Sequence, residues 1–150
     1  MELIEKFAGK IIFIDTAPLI YFIEGHSVFA ETLSKLFQEN EKGSFHFITS
    51  TLTFHEVLVK PFREKRFDLI EKYEHILTNS KTFSIIDINH SISKISARIR
   101  AEYDIKTPDA IQIAVSLEYF SDFFLTNDLR LKKIKEIEVV SLSEIAEFPH

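Results

Sequence analysis

The sequence predicts an α/β fold: a mostly parallel central sheet covered by helices on both faces. Two observations carry this. Short apolar runs alternate along the chain with longer stretches whose apolar residues recur at helical spacing, the rhythm of repeated strand–helix–strand units. The short runs also lack the strict apolar–polar alternation of a half-wet antiparallel strand, so they read as strands buried on both faces.

In chain order, Ile11 to Ile14 is the first strand, ending at Asp15. From about Val28 to Gln38, Phe29, Leu33, Leu36 and Phe37 fall on one helical face. Phe45 to Thr49 is the second strand and Leu52 to Val59 a short apolar helix. Phe67, Ile70, Tyr73, Ile76 and Leu77 mark the next helix, and Phe83 to Ile86 the third strand. Ile92, Ile95, Ile99 and Tyr103 follow at helical spacing. Ala110 to Leu117 is apolar nearly all round, as a helix in the centre of a protein must be. Asp122 to Thr126 and Ile137 to Val140 give the last two strands.

Composition narrows the class. With 150 residues, 45% of them hydrophobic, one domain spanning 1–150 can bury roughly two thirds of its unfolded surface. No Gly/Ser-rich or Pro-rich linker and no repeat divides the chain. There are no cysteines, which removes disulfides and thiolate metal sites. The opening Met1-Glu2-Leu3-Ile4-Glu5-Lys6 is acidic where a signal peptide is basic, and no apolar stretch is long enough to cross a bilayer. A soluble cytoplasmic protein with no membrane partner is expected. The net charge of −5 argues against binding nucleic acid through the overall field, though not through local basic patches.

Four acids stand at element junctions. Asp15 directly follows the first strand, Asp128 follows the fourth after Thr126 and Asn127, Asp109 opens the buried helix, and Glu56 lies early in the helix after the second strand. In a parallel sheet, sites form beyond the carboxyl ends of the strands, where all four can project. Each acid alone is equally readable as a helix cap. Asp15 precedes Pro18 at a first-turn position, Thr53-Phe54-His55-Glu56 fits a capping box, Asp109 gains from the helix dipole, and Asp128 can cap a turn running toward Lys133. As a set they point elsewhere, because carboxylates within ~4–6 Å of one another repel unless a cation neutralises them. Oxygen ligands without cysteine or an evident histidine suit Mg²⁺ or Mn²⁺ rather than Zn²⁺.

Four local sequences resemble the motifs of PIN-domain nucleases, in that family's order and over nearly the whole chain: Phe13-Ile14-Asp15-Thr16-Ala17-Pro18, Ser50-Thr51-Leu52-Thr53-Phe54-His55-Glu56-Val57, Thr107-Pro108-Asp109-Ala110-Ile111-Gln112, and Leu125-Thr126-Asn127-Asp128. The resemblance implies a three-layer α/β/α domain that cleaves single-stranded RNA with Mg²⁺ or Mn²⁺, frequently as a homodimer. The size is similar to that of VapC-type toxins, which a small antitoxin protein holds inactive. Extra acids near Asp109, present in some members, are absent here.

The resemblance makes Asp15, Asp109 and Asp128 candidate metal ligands. Glu56 is either a ligand or the group that orients the attacking water. Thr126, and more weakly Thr16 and Asn127, are candidates to support those carboxylates by hydrogen bonds. Phosphate contacts would come from two basic clusters, with Lys60 and Arg63 in one and Arg130 and Lys132 in the other; solvated helix faces are the alternative. Phe62, between Lys60 and Arg63, reads as core, with base stacking as the alternative. The 15 phenylalanines exceed what one small core holds, so Phe22, Phe62 and Phe67 are candidates for a dimer or antitoxin surface. Phosphatases and receiver domains of similar architecture fit poorly: Ala17 stands where a dehalogenase-type phosphatase needs a second Asp, and the first strand ends in a lone acid. A binding module without catalysis, and an RNA-processing nuclease without a toxin role, remain as rivals.

Overall fold

Each apolar run becomes a strand in the computed structural model, which describes residues 2–146 and so leaves Met1 of the amino-terminal segment outside. The strands are β1 (Ile11–Ile14), β2 (His46–Ser50), β3 (Phe83–Ile86), β4 (Phe123–Thr126) and β5 (Glu138–Ser141). All pair in parallel, in the order β3-β2-β1-β4-β5. Ile12 sits opposite Phe47 on one side and Phe123 on the other. The chain builds outward from β1 through β2 to β3, then returns to β1's other side with β4. The crevice beyond β1 and β4 is therefore the topological switch point, where ligands of open α/β sheets bind.

Among the described residues, eight helices surround the sheet: α1 (Glu2–Lys6), α2 (Thr16–Glu24), α3 (Ala30–Glu41), α4 (Thr51–Arg63), α5 (Phe67–Thr78), α6 (His90–Tyr103), α7 (Thr107–Glu118) and α8 (Leu142–Ala146). Period-two alternation sends successive strand residues to opposite faces. Ile12, Ile14, Phe47, Phe123 and Leu125 join one core with Leu19, Leu33, Leu36, Val57, Tyr73 and Leu77. Phe13, Ile48, Phe124 and Val139 join the other with Ile92, Ile99, Ile113 and Val115. Two cores on two faces make the three-layer α/β/α arrangement. Eight of the 15 phenylalanines are buried, divided between the two cores: Phe7, Phe13, Phe37, Phe45, Phe47, Phe83, Phe123 and Phe124. Phe13 stacks on Phe124 with ring centres 4.9 Å apart. Phe22 stacks on Phe37 at 3.8 Å, so it serves packing. Phe62 and Phe67 are 56% and 61% exposed, which overturns the core reading of Phe62.

The sequence reading did not include α1 or α8, and α4 runs through Pro61 to Arg63 rather than stopping at Val59. A proline removes one intrahelical bond, and here the ring is buried while Arg66 N–H donates to the Pro61 carbonyl at 2.8 Å. No helix among the described residues is long and apolar enough to cross a membrane.

Candidate active site

Two strands pass into helices almost without a loop, and this puts side chains at the carboxyl edge. Asp15 directly follows β1 and caps α2, its Oδ1 accepting from Thr16 N–H at 2.9 Å. Ser50 ends β2 and caps α4 by accepting from Thr53 N–H at 3.2 Å. The helix thus begins before Thr53, which corrects the capping-box reading. Glu56 does not reach back to the backbone; its Oε1 accepts from the Thr16 hydroxyl at 2.7 Å. Asp109 lies in the first turn of α7, and Asp128 caps a 3₁₀ turn over Leu129–Lys133.

Asp15, Glu56, Asp109 and Asp128 line one open cleft of about 520 Å³, together with Thr16, Ala17, Ile20, Pro108, Gln112, Thr126 and Asn127. All four acids are half-buried. Burial pushes the Asp15 carboxyl up to about 6, and the charges of Asp109 and Glu56 add to that; hydrogen bonds from Thr126 and Thr16 oppose it. Asp109 is also raised, first by burial and then by Asp128. Asp128 moves the other way, held low by the Arg130 guanidinium, which donates to Oδ1 at 3.0 Å and Oδ2 at 2.8 Å. Thr126, fully buried, donates to Asp15 Oδ2 at 2.8 Å and accepts from Asp128 N–H at 3.0 Å, so one hydroxyl ties two of the acids together.

The acids share a cleft without closing into a ligand shell. Among the described residues no three His, Cys, Asp or Glu side chains stand close enough to hold a metal ion. Each carboxylate instead turns to a local partner: Asp15 to Thr126, Glu56 to Thr16, and Asp128 to Arg130.

The remaining sequence candidates scatter. Asn127 lines the cleft and donates to the Tyr21 hydroxyl at 3.1 Å. Arg130 is engaged with Asp128, and Lys132 contacts Glu144. Lys60 and Arg63 are exposed on α4, at four and seven residues beyond Glu56 and hence on its side of the helix. His55 is exposed. Two residues escaped the sequence reading. Lys106 lies beside Asp109 and Asp128 in a neighbouring cavity, and its charge lowers both. Gln112 is buried beneath the cleft; its signal was a lone large polar residue in a helix otherwise apolar nearly all round.

The sequence profile of the PIN domain matches residues 12–137. The chain belongs to the PIN-domain family. No curated protein is significantly similar to it in sequence. Among solved structures, this PIN domain resembles a toxin–antitoxin complex from Klebsiella pneumoniae, at 24% identity and a TM-score of 0.68 over 87% of this chain and 97% of that one. It also resembles VapBC2 from Rickettsia felis, bound to a DNA fragment from its promoter, at 15% identity and a TM-score of 0.69 over 87% and 98%. A third is Mycobacterium tuberculosis VapC20, a toxin that cleaves the sarcin–ricin loop, at 14% identity and a TM-score of 0.62 over 75% and 86%. At these identities the likeness establishes the fold.

Proposed function

We propose that this PIN domain is an endoribonuclease that hydrolyses phosphodiester bonds of single-stranded RNA with Mg²⁺ or Mn²⁺. We further infer that it is the toxin of a toxin–antitoxin pair, a cytoplasmic homodimer silenced by a small antitoxin protein. The observation that carries the reading is the cleft at the switch point, lined by four carboxylates from four separate elements. The toxin role is supported by the similarity to solved toxins and toxin–antitoxin complexes.

The donor set fits a hard divalent ion: it offers oxygen alone, and Asp15 is raised by burial and by the charges of Asp109 and Glu56, Asp109 by burial and by the charges of Asp128 and Glu56, the penalty that a cation relieves. Asp15, Asp109 and Asp128 would hold the ion, with Glu56 beside them. When bound, it would lower the pKa of an attacking water and neutralise phosphoryl charge. The chain's own residues orient the rest. Thr126 fixes Asp15, and Thr16 fixes one oxygen of Glu56, leaving the second to align the water. Arg130 pairs with Asp128, and its exposed guanidinium would be a cation for a phosphate at the edge of the site. Lys60 and Arg63 extend the basic track along α4.

Incubation of a single-stranded RNA with the protein and Mg²⁺ or Mn²⁺ tests the reading. Cleavage should occur, and should be abolished by EDTA, by Asp15→Asn and by Asp109→Asn, with each variant still folded by circular dichroism. Cleavage that persists in both variants or in excess EDTA refutes the site. Expression in cells separates the rivals: growth arrest relieved by a co-expressed small partner supports the toxin, and unimpaired growth with intact cleavage supports an RNA-processing enzyme.

A further inference from the structure

Gln112 sits in the middle of α7, 2% exposed. A buried amide left without partners is destabilising, so a helix packed in the centre of the fold would ordinarily carry Leu or Ile there. Here the amide is fully used. Its Oε1 accepts from the Ser50 hydroxyl at 2.5 Å, and its Nε2 donates to Thr53 Oγ1 at 2.6 Å, with Thr16 Oγ1 further off at 3.5 Å. Thr53 and Thr16 hydroxyls are 3.1 Å apart, and Thr16 donates to Glu56 at 2.7 Å.

Counting protons gives this network a direction. Ser50 Oγ accepts from Thr53 N–H and gives its own proton to Gln112, which sets which end of the amide faces Thr53. Thr53 Oγ1 accepts from that amide and keeps its single proton for Thr16. Thr16 has one proton, and Glu56 takes it. Each hydroxyl donates once, so the donors run one way, from Gln112 through Thr53 and Thr16 to Glu56 Oε1.

We propose that Gln112 is a positioning residue that, through Thr53 and Thr16, holds Glu56 at the place from which it orients the attacking water; the inference rests on the ribonuclease reading above. The rival is a purely structural role, in which Gln112 only pins α7 to the β2–α4 junction.

The test uses Gln112→Met, which keeps the length and loses every hydrogen bond, and Thr53→Val, which cuts the relay downstream. On a single-stranded RNA with Mg²⁺, Gln112→Met should lower kcat about ten- to hundredfold, the range expected for a misplaced group, with KM within about twofold. Combined with Glu56→Gln it should cause little additional loss, because both act on one step. Thr53→Val should reproduce the loss and Thr53→Ser should restore activity. In metal-free protein with ¹³C-labelled glutamate, the Glu56 carboxyl resonance should move in Gln112→Met and Thr53→Val but not in Thr53→Ser. A Gln112→Met protein that melts lower yet keeps its kcat, or whose loss adds fully to that of Glu56→Gln, overturns the proposal. Should Gln112→Met fail to fold, wild-type kcat in Thr53→Val overturns it equally. A wild type that cleaves no RNA refutes the ribonuclease reading instead, and the resonance shifts then decide whether Gln112 positions Glu56.

Discussion

Asp15 directly follows a strand buried on both faces and is half-buried at the cleft. Its carboxyl is pushed up to about 6 from an ordinary 3.8. The raised value has a definite sign for stability. The folded chain binds this proton more tightly than the unfolded one, so stability is lost as pH rises through the window from about 4 to about 6. A shift of about two units corresponds to at most ~3 kcal/mol. Asp15→Asn removes that penalty while keeping an acceptor for Thr126 or Thr16. In EDTA at pH 7 the variant should therefore melt several degrees above the wild type, and near pH 4 the difference should vanish. The same change should abolish RNA cleavage. Thermal unfolding across that pH range checks the first expectation; a variant less stable than wild type at pH 7 would mean that the hydrogen bonds of Asp15 outweigh its burial.

At the level of elements, α4 carries the site outward. Glu56 occupies the cleft, and Lys60 and Arg63 follow on the same side, both exposed. If they meet RNA phosphates, Lys60→Ala and Arg63→Ala should each raise KM and leave kcat unchanged. Each should also flatten the salt dependence of binding by ~0.7 in the log–log slope for single-stranded RNA. Fluorescence anisotropy with labelled RNA at several salt concentrations measures this, and an unaltered slope would return both residues to a solvated helix face. How far α4 reached was not legible in the sequence: the apolar stretch stops at Val59, while the helix continues to Arg63 with the Pro61 ring buried. The strands were legible because burial on both faces leaves an apolar run. The four acids were legible for a related reason, since short strand–helix junctions such as Ile14-Asp15-Thr16 and Ser50-Thr51 put sequence neighbours at the sheet's carboxyl edge. Thr126 and Thr16 stood among the candidate supports of these carboxylates, but which acid each one meets was not legible. The bonds from Thr126 to Asp15 and from Thr16 to Glu56 span 111 and 40 residues, and no local pattern announces a contact made across the sheet.

For the molecule as a whole, the cleft joins parts of the chain that are remote in sequence: the end of β1, α4, the start of α7 and the segment after β4. An ion held there would link all four and bind only the folded state. Such linkage stabilises by about 2.7 kcal/mol when the free ion is a hundredfold above its dissociation constant. In a domain of this size, each kcal/mol moves the melting temperature by roughly 2–4 °C, so saturating Mg²⁺ or Mn²⁺ should raise it by about 5–10 °C. Asp109→Asn should show a much smaller rise, because it removes a ligand and lessens the charge that attracts the ion. Its melting temperature in EDTA should exceed that of the wild type, since Asp109 is itself raised by burial and by Asp128. The two changes have opposite signs, which separates ion binding from general weakening: a variant that merely damaged the fold would melt lower with and without metal. Equal shifts in wild type and variant would show that the carboxylates do not share an ion, and that the pairing of Asp128 with Arg130 is the site's resting chemistry rather than a stand-in for a cation.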